Sequence, residues 1–120
     1  MSVSKETFLI VGCDIKDRLT DKFEDWYWSE EGEKWHCFAT EGNLQIIDDG
    51  MCGEYTYLGY IVAGIEDDYN SFYKEIDSRH LSDYALEVMN GLQELIDFGV
   101  LNREECEDIG IKTILFNHYY

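Results

Sequence analysis

Residues 45–65, QIIDDGMCGEYTYLGYIVAGI, decide the fold. They read as a strand, a turn punctuated by Gly50 and Gly53, and a long second strand of tyrosines and β-branched residues. In that second strand Tyr55, Tyr57, Ile61 and Ile65 fall on one side, and Leu58, Tyr60 and Val62 on the other. A strand apolar on both faces belongs inside its sheet. Residues 44–47 are its hairpin partner. Asp48, Asp49 and Glu54 sit at the tip, where the two glycines serve turn geometry rather than phosphate binding, because the flanking carboxylates repel a phosphate. Gly59 and Gly64 mark a bulge or close packing under a helix.

Upstream of the hairpin, residues 7–15 (TFLIVGCDI) form a short apolar run expected to be a buried strand. Asp14 and Asp17 then open a helical pattern in which Leu19, Phe23, Trp26 and Tyr27 make one buried stripe, with Gly32 as a stop. Residues 34–38 read as a short extended segment. Downstream, residues 66–70 form an acidic turn and residues 71–76 a short helix. Ser82 is the expected N-cap of a helix over 83–98, ended by Gly99, with Tyr84, Ala85, Val88, Met89, Leu92, Leu95 and Ile96 as its apolar stripe. Residues 102–108 read as an acidic helical turn and 111–116 as a last strand, with the terminal His-Tyr-Tyr docked rather than frayed. This order predicts a single α+β domain over 1–120. Its sheet is mostly antiparallel, of four to five strands, with two main helices on one face in a βαββαβ-like arrangement.

Composition bounds the chemistry. The 120 residues carry 26 acids against nine lysines and arginines, a net charge of −17. At 45% hydrophobic and 15% aromatic residues the chain is no disordered acidic tail. Solubility alone needs a charge of magnitude about 2–8 in a small domain. A field this negative repels nucleic acid and anionic membranes and attracts basic surfaces. No apolar run is long enough to span a membrane, and the first residues lack a signal-peptide pattern, so a cytoplasmic location is the expectation. The four widely spaced cysteines are then expected as free thiols.

No motif for catalysis is present. His36 and Cys37 are adjacent and point apart in a strand, and His80 and His118 have no partner at a ligand spacing. The acidic turns lack the alternating ligands of a calcium loop. No nucleophile elbow or phosphate-cradling glycine loop occurs. The expectation is a non-enzyme with no metal and no cofactor.

The acids carry more pattern. At about 100° per residue, Asp83, Glu87, Glu94 and Asp97 fall within an arc of roughly 80°, with no lysine or arginine among them. Asp17, Asp21, Glu24, Asp25 and Glu31 cluster similarly on the first helical pattern, with only Lys16, Arg18 and Lys22 at the flanks. Ordinary solvated faces mix Glu and Lys at i,i+4, since like charges there cost a few tenths of a kcal/mol per pair. Carboxylates so spaced lie about 6 Å apart, close to the phosphate spacing along a DNA strand. Trp28 falls off its apolar stripe and is a candidate partner contact.

A compact, acidic, tyrosine-rich and proline-free domain resembles the small inhibitors that phages carry against bacterial defence, including anti-CRISPR and DNA-mimic proteins. In charge it is also similar to the acidic immunity proteins that block nucleases. The resemblance lies in composition across the whole chain, not in a motif. It implies an inhibitor, in the host bacterial cytoplasm, that occupies the nucleic-acid-binding surface of a basic protein or nuclease complex. The expected contacts are Asp17, Asp21, Glu24, Asp25, Trp28, Asp48, Asp49, Glu54, Asp83, Glu87, Glu94 and Asp97, with no direct binding of nucleic acid or membrane. A homodimer is compatible with this reading. Two alternatives stay open: an acidic interaction or regulatory module without mimicry, and a small enzyme.

Overall fold

The structure, a computed structural model, describes residues 5–36, 42–66 and 75–119. Four strands, β1 (Lys5–Asp14), β2 (Leu44–Asp48), β3 (Thr56–Glu66) and β4 (Lys112–Tyr119), form one antiparallel sheet in the order β2-β3-β1-β4. Helices α1 (Phe23–Tyr27) and α2 (Glu30–Glu33) fall between β1 and β2, and α3 (Ser78–Asp97) between β3 and β4. This is the split β-α-β arrangement, βαββαβ, and the fold is α+β.

The strand apolar on both faces lies inside the sheet, with β2 on one side and β1 on the other. Its Leu58 and Tyr60 join the larger core with Cys13, Ile15, Ile46, Phe23, Trp26, Val88, Leu92 and Leu95, beneath the helices. Its Tyr57 and Ile61 turn to the opposite face, over Phe8, Ile10 and Ile47. There Tyr57 and Phe116 approach to 4.8 Å between ring centres, forming an aromatic roof that no described helix covers. The irregularity between β1 and β3 sits at Leu9/Ile10, where Ala63 and Ile61 take successive partners and Val62 is the extra residue. Gly59 is therefore not a bulge. Nor is its space taken by a helix: it lies opposite Gly12, and the Ile10 side chain of β1 fills the place of its missing Cβ.

Of the two expected main helices only α3 is long. The first is broken into a 3-10 turn (Lys16–Arg18), α1 and α2. The cause is a long-range contact. Leu19 bridges Leu101, the Thr20 N–H donates to the Val100 carbonyl, and the Thr20 hydroxyl donates to the Gly99 carbonyl at 2.7 Å. Residues 19–20 are thereby held out of the helix. Ser29 then separates α1 from α2, its hydroxyl accepting from Gly32 N–H as an N-cap. Asp17 and Asp21 consequently lie on different segments and form no helical i,i+4 pair.

Gly32 is not a stop either. It is buried inside α2, and a Cβ there would stand 2.1 Å from the Trp26 carbonyl oxygen. Gly32→Ala is expected to destabilise the fold by about 1–3 kcal/mol through overpacking. At an unconstrained helical glycine the same change stabilises by up to about 1 kcal/mol. Urea denaturation separates the two by sign.

Helix α3 starts earlier than Ser82. Asp77 is its N-cap, accepting from Arg79 N–H at 3.0 Å, and Gly99 (φ 81°) closes it in the left-handed conformation. The expected turn over 66–70 and helix over 71–76 fall largely outside the described residues, as do Cys37 and Phe38 of the 34–38 segment. Residues 104–106 form a 3-10 turn, and His118 is buried with its Nδ1 2.7 Å from the Tyr55 hydroxyl, so His118 is docked while Tyr119 is exposed and Tyr120 lies outside the described residues.

Candidate acidic interface

On α3, Val88, Leu92 and Leu95 face the sheet. With 3.6 residues per turn, Asp83, Glu87, Glu94 and Asp97 then form a row on the outer flank, about 21 Å long. All four are exposed. Asp97 accepts from Gln93 Nε2 at 2.9 Å and lies 4.0 Å from Arg103 in an exposed pair that contributes little. The other three have no cationic partner among the described residues.

Phe98 and Gly91 lie between this row and the core stripe. Trp26 of α1 meets Phe98 at 5.6 Å between ring centres, and Trp35, just beyond α2, lies 3.5 Å from the position of a Cβ on Gly91. The α1–α2 corner therefore flanks the acidic side of α3. The corner presents Glu24 and Asp25 on α1 and Glu30, Glu31 and Glu33 on α2, all exposed. At its apex Trp28 is 69% exposed, edge-on to Tyr27 and His36, with its Nε1 donating to Glu24 Oε1 at 3.3 Å. The ring is held by its neighbours yet open to a partner.

The remaining acids are placed differently. Asp17 is exposed on the 3-10 turn after Ile15, whose N–H donates to Thr56 O at the base of the hairpin. Asp21 is exposed before α1, and Glu54 at the hairpin tip. Asp48 and Asp49 are less exposed than the surface reading expects. Asp48 is half-buried and accepts from the Thr56 hydroxyl at 2.9 Å. Asp49 is 7% exposed, and its carboxylate accepts from the backbone N–H groups of Met51, Cys52 and Glu54 at 3.3, 3.1 and 3.0 Å. Burial pushes this carboxyl upward, but the three donors outweigh it and hold the group below the ordinary aspartate value. Asp49 folds the turn back on itself, with its carboxylate turned inward to the loop backbone. Gly53, at φ 67°, supplies the left-handed step that lets the loop close.

Sequence reasoning overlooked Glu30 and Glu33. Their signal is the Ser-Glu-Glu-Gly-Glu run, a capping serine with acids in the first helical turn, where the helix dipole favours them.

Two clefts have a lining that bears on chemistry. One, of about 360 Å³, is lined by Cys13, Asp14, Arg18, Tyr57 and Lys112 among others. The other, of about 430 Å³, runs along α3 past Met89, Ile96, Cys106 and Ile111. Neither is lined by a histidine. Burial and the neighbouring Cys106 push the Cys13 thiol up to about 12, so it stays protonated and is no nucleophile. Among the described residues no three His, Cys, Asp or Glu side chains group as a metal site, and no helix is long and apolar enough to cross a membrane. No family model matches the chain, and comparison with curated proteins and with solved structures gives no match.

Proposed function

We propose that this protein binds, through its acidic helical layer, the nucleic-acid-binding surface of a basic protein or nuclease and so excludes nucleic acid from it. An anti-CRISPR or other anti-defence inhibitor acts in this way. The observation that carries the reading is the exposed row Asp83, Glu87, Glu94 and Asp97, of which only Asp97 meets a cation, on a 20-residue helix, continued by the α1–α2 corner with its exposed Trp28. Carboxylates fixed on a helix present the charge spacing that a phosphate-binding groove is built to meet. An aromatic ring among them adds apolar area where a charged rim alone gives on-rate and specificity more than affinity. Asp17, Asp21 and Glu54 add to the long-range field that steers a basic partner.

Trp28→Ala tests the corner. The ring is exposed, so folding stability is expected to stay within about 0.5 kcal/mol of the parent. Affinity for a basic nucleic-acid-binding partner is expected to fall by about 2 kcal/mol, the loss of an aromatic anchor. Titration of immobilised partner with the two proteins measures it, and equal affinities remove the corner from the interface.

A further inference from the structure

The sheet has two edges, and the chain treats them differently. At β2 the outer edge is covered: Ile46 N–H donates to the Trp35 carbonyl at 2.6 Å, and His36 bridges Ile46 in parallel. At β4, residues 112–117 pair with β1 on one side and with nothing on the other among the described residues. Edge strands that stay unpaired are commonly short or guarded by proline, a bulge or an inward-pointing charge. β4 has eight residues, no proline and a regular register, and its one charged side chain, Lys112, stands at its end.

The surface around that edge is apolar. Helix α3 packs chiefly over β3, β1 and β2. Leu115 of β4 is 70% exposed and Met89 on the facing flank of α3 is 57% exposed, beside the 430 Å³ cleft. The strand itself carries no carboxylate, and Glu107 is the one acid lining the neighbouring cleft. Residues 109–120, IGIKTILFNHYY, are the longest run in the chain without an acid, although one residue in about five is acidic.

We infer that β4 pairs antiparallel with β4 of a second copy of this chain, extending the two sheets into one of eight strands. Charge selects the occupant. Two bodies of −17 each meet least repulsion where carboxylates are sparsest, and β4, within the longest acid-free run of the chain, is that place. A basic partner, drawn to the rest of the surface, gains nothing here. A two-fold axis near Leu115 and Phe116 makes the edge its own complement, supplying each open backbone rim with the same rim from the partner copy. Both α3 helices then lie on one side of the joined sheet, and Leu115 and Met89 of each copy close the gap between them. The pairing is independent of the acidic interface and leaves both acidic layers exposed.

Sedimentation velocity and light scattering test it. The protein is expected at twice the 14.1 kDa chain mass. Added salt should tighten the dimer, because it screens repulsion between like-charged bodies. Binding of a basic partner has the opposite salt dependence, so failure of one reading is distinguishable from failure of the other. Leu115→Glu is expected to give a monomer with unchanged circular dichroism, since the parent side chain is mostly in solvent. Leu115→Thr, which adds no charge and keeps strand propensity, should weaken the dimer less than Leu115→Glu. A parent protein that stays monomeric at high concentration and high salt overturns the inference, as does a dimer indifferent to Leu115→Glu.

Discussion

Replacing Asp83 and Asp97 by Asn together with Glu87 and Glu94 by Gln is expected to weaken binding to a basic nucleic-acid-binding partner by roughly 30- to 150-fold without loss of fold. The figure follows from exposed charge pairs worth about 0.2–1 kcal/mol each, about 2–3 kcal/mol for four. Most of the change should appear in the association rate, because these charges steer the encounter, and the salt dependence of binding should flatten. Folding stability is expected to move the other way. Asp83 and Glu87 stand at i,i+4 and Glu94 and Asp97 at i,i+3 on α3, so neutralising them relieves like-charge pairs worth a few tenths of a kcal/mol. A variant more stable and less competent to bind shows that the row is kept for a partner. Unchanged affinity removes α3 from the interface.

Asp49→Asn is expected to give the reverse pattern: a loss of about 3 kcal/mol of stability with little effect on partner binding. The buried carboxylate serves three backbone donors in one seven-residue loop, and hydrogen bonds to a charged group contribute about 1.5–3 kcal/mol each without adding fully. An amide of the same shape loses the charge and one acceptor oxygen. The pH dependence fixes the sign. Because the folded carboxyl lies below its unfolded value of about 3.9, its contribution is fully present above that pH. It is lost as the pH falls through the folded value. The gap between parent and variant should therefore be widest near neutral pH and close in strong acid, which urea titrations across that range measure.

The α3 row and Asp49 differ in how far the sequence could reveal them. Asp83, Glu87, Glu94 and Asp97 are legible because one periodicity governs both the apolar stripe and its outer flank. Once Val88, Leu92 and Leu95 are buried, the position of the row follows. The central place of β3 is legible for the same reason, since both its faces are apolar. Asp49 is not distinguishable by type from Asp48 or Glu54 in an acidic turn. Its burial depends on the loop folding over it, which only the N–H groups two, three and five residues ahead report. The first helix misleads more deeply. The stripe of Leu19, Phe23, Trp26 and Tyr27 is buried in or packed on the core as periodicity requires. Yet Leu19 is captured by Leu101, over eighty residues away, and local propensity carries no trace of that pairing. The open edge at β4 is hidden in the same way, because strand order is a property of the whole sheet.

The most direct test of the central claim is competition. The protein, immobilised and exposed to bacterial lysate at low salt, should retain a nucleic-acid-binding protein identifiable by mass spectrometry. Added duplex DNA or RNA should release that protein, as should high salt, in proportion to the charge contacts replaced. Retention of a partner that neither nucleic acid nor salt displaces would contradict the account and leave an acidic interaction module without mimicry in its place.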